Sequence, residues 1–221
     1  MVNMKTSFDI QPLLLVPVLA LFALPLIGSV DTWLTLSVAG LAMGMIIFIM
    51  ASGLTLVFGL MDVLNFGHGV FIALGAFVAT SVMSGMVDWT QSQELWRNLV
   101  AVGSAMALAM LAASIIGLAF ERFIVRPVYG QHLKQILITM GGMIIGEEII
   151  KVIWGPLQIA LPLPEAMRGS LLWGDASLEK YRLMAVVVGL LVFAMQAWTL
   201  SRTKVGLLIR AGVQDREMVE S

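Results

Sequence analysis

Long uncharged apolar runs alternate with short polar segments along this chain, and each run is long enough to be read as a helix crossing a bilayer. The first, Pro12 to Val30, follows a stretch carrying Lys5 and Asp9 and is about the minimum length for a ~30 Å hydrocarbon core. Pro12, Pro17 and Pro25, with an equally apolar run directly after, favour an uncleaved first helix over a secretory signal. Leu34 to Leu60 carries no charge; at ~1.5 Å per residue it is roughly 40 Å long and must tilt or bend in the membrane. Within it, Gly40-x-x-x-Gly44 would let another helix approach closely. Further runs at about 66–87, 99–120, 135–153 and 183–200 complete the pattern. The predicted fold is all-α, a polytopic transmembrane helical bundle of about six spans.

The polar interruptions differ in kind. Gly53 to Ala76 sets Asp62, Asn65 and His68 and a series of glycines between two apolar runs, which a lipid-facing helix has no use for. Two readings stay open: a tight loop between spans, with Asn65 and Gly67 supplying turn geometry, or a functional break lining a polar path. Asp88 to Asn98 is polar, with Trp89 and Trp96 placed as an aromatic belt. Residues 121–134 form a polar connector holding Arg122, Arg126, His132 and Lys134, with Pro127 stopping any continued helix. Glu147, Glu148 and Lys151 lie late in the 135–153 run, where a charge at mid-membrane costs about 3 kcal/mol. Glu147 and Lys151 stand four apart in the favourable order and predict a local ion pair; otherwise Glu148 reaches a polar cavity. Trp154, Gly155 and Pro156 close that run, and 156–182 is the longest hydrophilic connector.

Composition fits this picture: 59% of the 221 residues are hydrophobic and 12% charged, far from a soluble domain, where about a quarter are charged. The formal net charge of −1 offers no footprint for nucleic acid. With no cysteine, thiolate metal sites, disulfides and thiol catalysis are excluded. Asp62 and His68 are not on one helical face, and neither a nucleophile elbow, a zinc-binding pattern nor a phosphate-cradling loop occurs. An enzyme is therefore not expected, nor a bound metal or cofactor. Counting cations orients the bundle. With the N-terminus inside, Lys5, Arg122, Arg126, Lys134, Arg202, Lys204, Arg210 and Arg216 fall on the cytoplasmic side. Arg97, Arg168, Lys180 and Arg182 fall opposite, with Lys151 near the boundary. Both termini are then cytoplasmic. The tail, residues 201–221, mixes charges with Gly206, Leu207, Leu208 and Ile209; as chemistry it is either a solvated anchor or a docking helix.

Several ordered motifs carry a resemblance. Gly53-Leu-Thr-Leu-Val-Phe-Gly59, then Leu64-Asn65-Phe66-Gly67-His68-Gly69, then Leu74-Gly75-Ala76, resembles the signature of membrane permeases of ABC importers for branched-chain amino acids. Glu121-Arg122 before Arg126-Pro127, Thr139-Met-Gly141 leading to Trp154-Gly155, and Thr203 to Met218 extend the likeness from about residue 45 to the end. The resemblance implies a pathway subunit in the bacterial inner membrane, with Asn65, Gly67, His68 and Gly69 beside the translocation path. Gly206, Arg210, Ala211, Asp215 and Glu217 would form the element that couples to ATPases. It also implies a second permease, homologous or identical, two cytoplasmic ATPases that bind the ATP, and an extracytoplasmic substrate-binding protein. Urea or a short amide as cargo, an ATPase-independent channel or carrier, and a purely structural subunit are the competing readings. The family continues with more spans after the coupling segment, so the end at Ser221 reads as a truncated or partial product.

Overall fold

The computed structural model describes residues 10–61, 65–203 and 206. Its α-helices are α1 (Ile10–Ile27), α2 (Val30–Met61), α3 (His68–Gly85), α4 (Val87–Thr90), α5 (Leu95–Phe120), α6 (His132–Trp154) and α7 (Lys180–Arg202). A π-helical turn at Glu121–Val125 and a 3-10 turn at Arg126–Val128 carry α5 onward. The helical stretch thus passes through Pro127, which sits at the start of the 3-10 turn, where its missing N–H costs nothing.

Among the described residues, four helical stretches are long and apolar enough to cross a membrane: Val30–Gly59, His68–Gly85, Leu95–Val128 and Lys180–Arg202. α1 supplies a shorter apolar stretch, Leu14–Ile27, and α6 holds Lys134, Glu147, Glu148 and Lys151. Apolar side chains such as Phe22, Leu26, Leu118 and Val152 point outward and are largely exposed. That surface suits lipid or neighbouring helices and marks an α-helical membrane protein.

Packing falls into two groups. α3 lies along α5 and part of α6, while α2 lies along α7 and α1. On α5, Ala101, Ala105 and Ala109 are buried one turn apart, a small-residue face of the kind that lets helices approach. α6 docks through Gly142 and Gly146: a Cβ on Gly146 would lie 2.6 Å from Val70 Cγ1, and one on Gly142 would lie 2.6 Å from Phe120 Cζ. On α7, Gly189 is pressed against Met45 of α2. Gly40 and Gly44 meet nothing within 4 Å among the described residues. The same spacing that predicts a close approach in α2 is therefore used in α6 instead, because there large side chains, Phe120 and Val70, fall opposite the glycines.

A β-hairpin departs from the all-α expectation. β1 (Ser170–Trp173) pairs antiparallel with β2 (Ala176–Glu179), Leu171 facing Leu178, through a two-residue turn in which Gly174 has φ 63°. That positive φ is what a tight hairpin turn demands of its first central residue. Asn98, buried on α5, braces the same end. Its Nδ2 donates to the carbonyls of Ser92 (2.7 Å) and Glu94 (3.1 Å), and its Oδ1 accepts from the Ala166 amide at 3.3 Å. Trp89 and Trp96 meet there edge to face at 5.4 Å.

The predicted Glu147–Lys151 pair is replaced by Lys151 with Glu148, Nζ to Oε1 at 2.7 Å, both exposed. Positions three and four residues back are both within reach on a helix, and Lys151 takes the nearer one. Glu148 therefore enters no polar cavity. α6 ends as predicted: Gly155, with φ 86°, donates its amide to the Lys151 carbonyl at 2.8 Å. Trp154 Nε1 ties this end to Ser81 Oγ of α3 at 2.7 Å.

Candidate functional site

Just before α3, at Asn65–His68, the chain makes a compact turn. Asn65 Oδ1 accepts the Gly67 amide at 3.0 Å, and the Asn65 carbonyl accepts the His68 amide at 3.2 Å. An Asn side chain that mimics a backbone turn is a recurrent way to start a helix from a loop. Gly67 is buried, and a Cβ on it would lie 3.1 Å from Asn65 Oδ1 and 3.6 Å from the Thr139 carbonyl of α6. Glycine here lets the turn and the α6 backbone come together.

His68, the first residue of α3, reaches across to α2. Its Nε2 lies 3.2 Å from the Met50 carbonyl. A carbonyl only accepts, so Nε2 carries the proton in this bond and Nδ1 of a neutral ring is an acceptor. Gly53, one turn on from Met50, makes room: a Cβ there would meet His68 Cε1 at 3.3 Å. His68 thus bridges the two packing groups at their seam.

Beside this bridge lies a cavity of about 220 Å³. Val57 of α2, Asn65, and His68 and Phe71 of α3 form one side; Ala113, Gly117 and Phe120 of α5, with Glu121 and Val125 of the π turn, form the other. Phe71 and Phe120 meet edge to face at 5.5 Å. Glu121 is half-buried, its Oε1 accepting the Tyr129 hydroxyl at 2.7 Å. The walls are mostly apolar, and the polar atoms are one carboxylate, one amide and one imidazole. Apolar walls carrying a few polar groups are the general character of small-molecule pockets. Among the described residues no group of three or more His, Asp or Glu is placed to hold a metal.

Of the residues singled out in the sequence, Asn65 and His68 line the cavity and Gly67 shapes the turn beside it, whereas among the described residues Gly69 has nothing within 4 Å of a would-be Cβ. Asp62 lies outside the described residues, as do Arg210, Ala211, Asp215 and Glu217. Gly206 is buried, its amide donating to Thr203 Oγ1 at 3.1 Å, and a Cβ on it would fall on the Thr199 and Leu200 carbonyls. Sequence reasoning missed Phe71, Phe120 and Glu121 as cavity residues. Glu121 had a signal, a carboxylate ending a long uncharged run; the two phenylalanines had none.

Residues 36–221 match the model of the family described as branched-chain amino acid transport system / permease component. The chain is 26% identical over 192 residues to the high-affinity branched-chain amino acid transport system permease protein BraD of Pseudomonas aeruginosa, a match covering 82% of this chain and 59% of that protein. It is 26% identical over 187 residues to the corresponding protein LivH of Salmonella typhimurium, covering 81% of this chain and 58% of the relative. With LivH of Escherichia coli K12 the identity is 28% over 124 residues, 56% of this chain and 39% of the relative. The chain thus spans less than three-fifths of the length of the curated relatives it matches. No solved structure matches it. The matched family is one of transport permeases, not enzymes. The chain belongs to the family of branched-chain amino acid transport system permease components.

Proposed function

We propose that this chain is a membrane-spanning subunit of an ATP-driven importer in the bacterial inner membrane, and that it passes branched-chain amino acids by alternating access. The observation that carries the reading is the cavity at Asn65 and His68, apolar-walled, sparsely polar and set at the seam between two helix groups. Breaks between helices are where many transporters hold their cargo. Tilting α3 and α5 against α2 and α7 would open this seam to one side and close it to the other.

Taken with α1 and α6 as further spans, the bundle has six passes and both termini in the cytoplasm. The cavity end then faces inward, in keeping with Arg122, Arg126, Lys134 and Arg202 near that end. The remaining parts of the machine come from partners: a second permease, homologous or identical; two ATPases that bind ATP and receive the segment with Gly206, Arg210, Ala211, Asp215 and Glu217; and an extracytoplasmic receptor that delivers the solute.

The test is ATP-dependent leucine uptake by the complex reconstituted in liposomes. Arg210→Glu and Asp215→Lys are expected to abolish uptake while the subunit still inserts and assembles. Undiminished uptake removes the tail from the mechanism, and leucine flux through the isolated subunit without ATP would replace the importer by a channel. Urea uptake in place of leucine would keep the machine and change its cargo.

A further inference from the structure

Glu121 is a carboxylate on the wall of an apolar cavity. It stands where α5 gives way to the π turn within the helical stretch Leu95–Val128. It is half-buried there. Arg122 and Arg126 are exposed, and among the described residues no Lys or Arg nitrogen lies within ion-pair distance of it. Its one described partner is the Tyr129 hydroxyl, which fixes Oε1 at 2.7 Å. A carboxylate held in position on the wall of an apolar cavity, with no counter-charge beside it among the described residues, is arranged for a visiting one.

We infer that Glu121 receives the ammonium group of the solute in this cavity, with Phe71 and Phe120 flanking its aliphatic side chain. Around Glu121 the cavity supplies what an amino acid needs. Asn65 Oδ1 is engaged with the Gly67 amide, so its Nδ2 is the donor left for the solute carboxylate. The edge-to-face phenylalanine pair offers apolar surface to a branched side chain. Urea has no ammonium and a desamino acid lacks one, so both are discriminated against by the same group. The inference rests on the reading of this cavity as part of the translocation path.

The experiment uses the assembled permease–ATPase complex without the receptor, so that receptor affinity does not mask the permease. Saturation-transfer NMR compares leucine, 4-methylpentanoate (the same skeleton without the amine) and 3-methylbutylamine (without the carboxylate). The wild type should bind leucine and the amine and reject 4-methylpentanoate. Glu121→Gln keeps the shape and an acceptor for Tyr129 but removes the charge, and should weaken leucine about tenfold or more and erase the preference over 4-methylpentanoate. Glu121→Asp should retain the preference. An unchanged preference in Glu121→Gln overturns the inference; so, should that variant fail to assemble, does absence of amine binding to the wild type. ATP-dependent leucine uptake, measured separately, distinguishes the two readings. Uptake without discrimination at Glu121 leaves the importer standing and removes this site; no uptake by the wild type removes the importer itself.

Discussion

Gly141 and Gly142 are neighbours on α6, and the same substitution at each should move stability in opposite directions. A Cβ on Gly142 would sit 2.6 Å from Phe120 Cζ, whereas one on Gly141 meets nothing within 4 Å. Ordinary carbon contact begins near 3.5 Å, so in Gly142→Ala the Phe120 ring or the α6 backbone must give by roughly 1 Å. Phe71, packed edge to face at 5.5 Å, constrains that shift, and the room the ring has is the cavity it lines. Overpacking of this kind costs about 1–3 kcal/mol, and loss of the aromatic pair adds about 0.5–1.5 kcal/mol. Against this, alanine is favoured over glycine within a helix by about 0.5–1 kcal/mol. The net expectation is a loss of about 0.5–4 kcal/mol for Gly142→Ala and a gain of up to about 1 kcal/mol for Gly141→Ala. Thermal unfolding of the detergent-purified proteins, followed by tryptophan fluorescence, reads the difference. Phe120→Leu in the Gly142→Ala background removes the clashing ring and should recover part of the loss. Equal behaviour of the two alanine variants would refute the docking of α6 on Phe120.

Gly189→Ala should destabilise by about 1–3 kcal/mol in the same assay, because the new methyl would meet Met45 at its Cβ, which cannot swing away as a chain end could; Gly40→Ala, with nothing nearby, should not. Asn98→Ala removes the partner of the Ala166 amide and the Ser92 carbonyl, while the Glu94 carbonyl keeps the backbone amides of Arg97 and residue 98; the loss should be about 1–3 kcal/mol, with faster proteolysis in the 90–95 and 165–180 segments as a local readout. Glu148→Gln breaks an exposed ion pair and should leave the melting temperature unchanged. Gly67→Ala needs only a few tenths of an ångström at Asn65 Oδ1, so it should spare folding while lowering leucine uptake through displacement of the Asn65 turn.

The apolar runs made the helices legible in the sequence, and their ends fell within a few residues of the polar punctuation: α6 closes at Trp154 and Gly155, and α3 opens at the Asn65–His68 turn. What hydropathy does not encode is partner choice. Gly40-x-x-x-Gly44 and Gly142-x-x-x-Gly146 have one pattern, and only the second meets bulky neighbours. The hairpin was written as Gly174-Asp175 between two short runs, a local signal overshadowed by the hydrophilic character of the whole connector. At the cavity, Asn65 and His68 stood out as polar groups in an apolar chain. Phe71 and Phe120 did not, since a phenylalanine in a membrane helix is equally at home facing lipid. Glu121 was visible as a charge but not as a lining residue, because its position depends on the π turn that rotates it.

β2 flows into α7 without a loop: the Lys180 amide donates to the Gly169 carbonyl at 3.1 Å and Arg182 pairs with Glu179 at 2.8 Å. From there α7 runs 23 residues, roughly 35 Å at ~1.5 Å per residue, to Arg202, beyond which Thr203 donates to the Thr199 carbonyl and receives the Gly206 amide. One stiff rod therefore joins the hairpin on one face of the protein to the beginning of the tail on the other. Under the importer proposed above, a displacement at either end would pass to the other through continuous helix rather than through a loop.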